Sequence, residues 1–137
     1  MSNHIFIATM KPIEDLKYVF ERYNFGIGSG EDYRIGCNLP LTLPYVYEIY
    51  GYEKLSLISF LEEFMEFGDV VEIYEYWEGQ ALPESINVPK EARTINLLQR
   101  TYKDEFGEYQ FDKRNWMEEL ATRTVVSNRS VTTFVKY

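Results

Sequence analysis

Apolar and polar positions alternate along this chain with two periods, and the switches between them mark its elements. In residues 4–10, HIFIATM, Ile5, Ile7 and Thr9 alternate with Phe6, Ala8 and Met10. Both faces are largely apolar, which predicts a buried, central strand. Over 12–23 the period changes: Ile13, Leu16, Val19, Phe20 and Tyr23 share one helical face. Pro12 suits the first helical position, and Glu14 and Asp15 suit the positive end of the helix dipole. Residues 33–39, YRIGCNL, alternate again and predict a short strand with Tyr33, Ile35 and Cys37 on one side. Residues 40–44, bounded by two prolines, read as a turn.

The strongest pattern runs from 45 to 77. Residues 45–50, YVYEIY, read as a strand, with Tyr45, Tyr47 and Ile49 on one face and Val46, Glu48 and Tyr50 on the other. In 55–67 the apolar residues Leu57, Ile58, Leu61, Phe64 and Met65 repeat at helical spacing. Residues 70–77, VVEIYEYW, return to a strand. Strand, helix, strand is the shape of a βαβ unit, whose strands are parallel. Paired in their similar register, the two strands turn Tyr47, Ile49, Val71 and Ile73 toward the helix. Glu48, Tyr50, Glu72, Tyr74 and Tyr76 then share the opposite face. An antiparallel placement with an edge strand between them is the alternative.

Residues 79–91, with two prolines, read as a loop, and 92–98 as a strand. Residues 99–112 suit a hairpin turning around 105–107. Asn115 and Glu118 form a capping-box-like pair before a short helix over 116–121, packed through Trp116, Met117 and Leu120. Residues 122–127 and 130–136 read as a closing hairpin with Val125 and Phe134 in the core. The expectation is a single α+β domain over 1–137. It has a mixed or mainly antiparallel sheet of about 5–7 strands and about three helices, 12–23, 55–67 and 116–121.

Composition adds two facts. Aromatic residues make up 17% of the chain, including 12 tyrosines, whose rings suit a core or a partner. The net charge is −8, and it is local. Residues 48–78 hold nine acids and one base, whereas the rest of the chain balances. Such a charge repels nucleic acid and anionic membranes and attracts a basic protein. The single cysteine, Cys37, forms no internal disulfide and reads as a small buried thiol. The N-terminus lacks a signal-peptide pattern and no apolar run reaches membrane-spanning length, so the expected location is cytoplasmic.

Candidate chemistry is sparse. His4 is the single histidine and reads as a surface residue at a strand start. The glycines of 25–30, FGIGSG, follow a helix and precede Glu31 and Asp32, so they read as a hairpin or mobile connection rather than a phosphate loop. Neighbouring Glu48 and Glu72 would suit a carboxylate-held metal enzyme, yet none of the usual metal motifs accompanies them. Glu75 shares a face with Val71, Ile73 and Trp77, which places it at a rim or beside Arg93 or Arg34.

Protein binding fits best: an acidic module of the inhibitor or immunity kind that neutralises a basic, nuclease-like or nucleic-acid-binding partner. It implies no catalytic residue, metal or cofactor. The expected contacts are Glu48, Tyr50, Glu72, Tyr74, Glu75, Tyr76, Trp77 and Glu78, with Glu62, Glu63 and Glu66 as a second surface. A homo-oligomer joined through a tyrosine-rich face is the alternative, and the metal enzyme the second alternative.

Overall fold

In the computed structural model, residues 3–77, 93–98, 101–110, 112–126 and 131–137 are described. The elements run β1 (Asn3–Thr9), α1 (Leu16–Tyr23), β2 (Gly26–Ser29), α2 (Glu31–Cys37), β3 (Tyr45–Tyr50) and α3 (Lys54–Phe64). They continue with β4 (Val70–Trp77), β5 (Arg93–Asn96), β6 (Thr101–Asp104), β7 (Gly107–Gln110), α4 (Lys113–Arg123) and β8 (Thr132–Val135). A six-stranded mixed sheet has the order β2-β3-β1-β4-β8-β5, and β6-β7 form a separate hairpin. The α+β class and the size of the main sheet agree with the sequence pattern.

β1 is central, as its two apolar faces require. It pairs antiparallel with β3 on one side and with β4 on the other. β3 and β4 therefore run the same way, but β1 separates them, so the expected side-by-side parallel pairing does not form. Glu48 lies opposite Phe6 and Glu72 opposite Ala8, leaving the two carboxylates on strands about 10 Å apart. The facing of the side chains is as expected. Ile5, Ile7, Ile49, Val71 and Ile73 pack beneath Val19 of α1, Leu57 and Leu61 of α3, and Trp116 and Leu120 of α4.

Residues 33–39 are not a strand. α2 covers the second sheet face, with Tyr33 and Cys37 one turn apart against Phe6, Ala8, Val46 and Tyr74. Ile35 points out, 83% exposed. Tertiary bonds settle the choice: the Glu31 carboxylate accepts from Val46 N–H at 3.0 Å, and Arg34 donates to the carbonyls of Leu41, Leu43 and Pro44. Two acids in the first turn and Arg34 in the last complement the helix dipole.

Helix ends shift for identifiable reasons. Asp15, rather than Pro12, starts α1, its carboxylate accepting from Tyr18 N–H at 2.9 Å. α3 stops at Phe64, because Met65 turns extended and buries its side chain. Lys136 Nζ then donates to the released carbonyls of Glu62 and Met65 at 2.7 and 2.9 Å. Asp112 caps α4 in place of Asn115, so this helix is longer than expected, while Trp116, Met117 and Leu120 pack as expected.

The closing hairpin does not form. α4 runs through Arg123, Val125 is half-exposed, and β8 enters the sheet between β4 and β5 with Phe134 buried. The hairpin expected around 105–107 is present as β6-β7, turning at Gly107. The glycines at 26–28 are not a free connection either. They form the edge strand β2, paired with β3. The expected loop 79–91 lies outside the described residues. No described helix is long and apolar enough to cross a membrane.

Candidate functional site

The antiparallel registers gather the start of β1 and the ends of β3 and β4 at one end of the sheet. Asn3 stands opposite Trp77, His4 opposite Tyr76, and Ile5 opposite both Ile49 and Glu75. Five of the expected contact residues come to that end, Glu48, Tyr50 and Tyr76 on the α2 face and Glu75 and Trp77 on the helix-side face. A cleft of about 240 Å³ opens between the strand ends, lined by Asn3, His4, Glu48, Tyr50, Gly51 and Tyr52 among others, with no lysine or arginine among the described residues of its lining.

His4 is not a plain surface residue. Its Nδ1 lies 2.7 Å from Glu48 Oε1, and its side chain is 14% exposed. Because Phe6 faces Glu48, a residue two positions earlier on β1 reaches the same carboxylate diagonally across the strands. The ring also packs 4.9 Å from Tyr33 and 6.5 Å from Tyr76, between centroids. The pair holds the Glu48 carboxylate at the mouth of the cleft. Its two members lie 44 residues apart in sequence, and only strand register brings them together.

Glu75 sits at the rim on the helix-side face. It accepts hydrogen bonds from Asn3 Nδ2 at 3.3 Å and Trp77 Nε1 at 2.7 Å. Arg34 is committed to backbone carbonyls and is no partner for it. The phenol of Tyr52 is shifted above its ordinary value, mainly by burial and secondarily by the charge of Glu75. Tyr50 lies flat across Gly26 on the neighbouring strand. A Cβ at Gly26 would fall 1.9 Å from the Tyr50 ring, so the glycine is what lets the ring cover the edge strand. The other side of this ring stays open, leaving Tyr50 59% exposed.

Two expected contacts belong to the interior instead. Tyr74 is 1% exposed beneath α2 and the 39–43 segment. Glu72 is 8% exposed, and its carboxylate accepts from Thr42 N–H at 2.8 Å, Leu43 N–H at 2.9 Å and Thr42 Oγ1 at 3.0 Å. Arg34 grips the carbonyls of the same segment, so residues 41–44 are held from both sides. Glu72 is thus a structural carboxylate, and the tyrosine-rich face is covered at Glu72 and Tyr74 but open at Tyr50. Glu78 lies outside the described residues.

The second acidic surface, along α3 and the turn after it, is matched by bases. Glu62 pairs with Lys136, Glu63 with Arg22, and Glu66 and Asp69 with Lys11. The Asp69 carboxyl is held below its ordinary value, chiefly by the Glu66 backbone N–H and then by Lys11. Among the described residues, no three His, Cys, Asp or Glu side chains are grouped so as to hold a metal ion. Cys37 is half-buried in the second core. Compared with family models, curated proteins and solved structures, the chain matches none of them.

Proposed function

We propose that this chain is an acidic protein-binding module of the inhibitor or immunity kind, which neutralises a basic partner through the cleft at the His4 end of the sheet. One observation carries the reading. The fold brings Glu48 to a concave site walled by Tyr50 and Tyr52, with Glu75 bonded to Asn3 beside it, and among the described residues no lysine or arginine lines it. Carboxylates held by His4 and Asn3 are preorganised, so little side-chain entropy is lost when a cation docks. Exposed tyrosine supplies contact area with few rotatable bonds. A tyrosine-face homo-oligomer would have to use Tyr50 and Tyr76 without Tyr74.

The test begins with co-purification from the native host, followed by calorimetry with the basic protein recovered. Glu48→Gln and Glu75→Gln are each expected to weaken binding about tenfold, and Tyr50→Ala to speed dissociation. Stoichiometric addition of the chain should suppress the partner's own activity. Wild-type affinity in all three variants, or a partner that is not basic, would sink the proposal.

A further inference from the structure

A second cleft, on the opposite side of the core from α2, lies between α1 and α3. It encloses about 230 Å³. Its floor is apolar: Ile13, Val19 and Phe60 are all buried. Its walls are the rings of Tyr18, 51% exposed, and Phe64. Its rim carries three carboxylates, Glu14, Asp15 and Glu63, and among the described residues no base is in its lining.

We propose that this cleft is a separate binding site, which takes an arginine side chain of a basic partner. The aliphatic stem would lie on the apolar floor and the planar guanidinium between aromatic rings and carboxylates, the combination that favours arginine over lysine. The chain's own cations show this chemistry at the margins. Lys11 Nζ sits 5.0 Å from the centroid of the Phe64 ring. Arg22 lies 5.8 Å from that of Tyr23 and reaches Glu63 Oε1 at 3.3 Å. Glu63 is further held by the Tyr23 hydroxyl, which donates to its other oxygen. Arg22 offsets one of the three rim charges, and Asp15 spends one oxygen on capping α1. Glu14 and the free oxygen of Asp15 therefore carry the attraction for an incoming cation. The inference stands apart from the cleft at the sheet end: either site can fail without the other.

The probe is the blocked amino acid acetyl-arginine-N-methylamide, with the norleucine analogue as an uncharged control of similar stem length. Each is titrated into the full chain while amide shifts are followed by two-dimensional NMR. Saturable shifts are expected at residues 13–19 and 60–64 with the arginine probe and not with the control. Glu14→Gln, an exposed position with no hydrogen bond among the described residues, should weaken the probe about threefold. Tyr18→Ala should do the same through loss of ring stacking. Shifts confined to residues 3–4 and 48–52 would overturn the α1–α3 site while leaving the sheet-end site in place. Equal shifts with norleucine, no shifts at all, or unchanged affinity in both variants would overturn it outright.

Discussion

Glu72 shows how one side chain can look functional in sequence and be structural in space. Its neighbours Val71 and Ile73 are core residues, and its carboxylate replaces water with two backbone N–H groups and a hydroxyl. Removing it leaves those donors without a partner beneath α2. Glu72→Ala is expected to cost about 3 kcal/mol, read as a lower urea midpoint with unchanged slope. Tyr23 carries a different consequence. Burial, joined by the Glu63 carboxylate, raises its phenol above the ordinary value of 10.0. Above that pH the unfolded chain releases the proton while the folded chain keeps it, so the unfolded state binds fewer protons and stability falls as pH rises. Below pH 10 the contribution is fully present. Urea midpoints at about pH 9 and about pH 11 should therefore fall more in the wild type than in Tyr23→Phe. Tyr52, raised in the same direction, adds to the fall.

Among elements, α2 departs most from the sequence pattern. Alternation over 33–39 suits a strand, but Tyr33 and Cys37 are also one helical turn apart, and seven residues hold too few apolar positions to separate the periods. The helix wins because Glu31 and Arg34 find backbone partners on β3 and the 41–44 segment. Gly36 remains an entropic weakness in it, since a Cβ there would meet no atom within 4 Å and its φ is not positive. Gly36→Ala should stabilise the protein by about 0.5–1 kcal/mol, measured by thermal or urea unfolding. The other helices were legible as elements but not at their ends. α1 starts four residues after the expected Pro12, capped by Asp15, α4 starts three residues before the expected 116, capped by Asp112, and Lys136 closes α3 from a distant part of the chain.

For the whole molecule, β1 is the organising strand. It joins β3 to β4, and its faces supply Phe6 to one core and Ile7 to the other, both fully buried. Deleting residues 1–9 should leave an unfolded chain by circular dichroism and NMR, rather than a trimmed fold, because two strands would lose their shared partner. The chain's own pattern determined which residues are apolar on each face, the two core-facing sets of β3 and β4, the helical stripe of α3 and the β6-β7 turn. Those depend on neighbours within one or two turns or pleats. Strand order, the burial of Glu72 and Tyr74, and the His4–Glu48 pair were decided only by tertiary structure. Each depends on which distant strand lies alongside, and side-chain periodicity is the same whether the neighbour is parallel, antiparallel or separated by a third strand. The excess of acid between 48 and 78 was plain in the sequence. Its division into a buried clamp, a set of matched surface pairs and an open cleft followed from the insertion of β1.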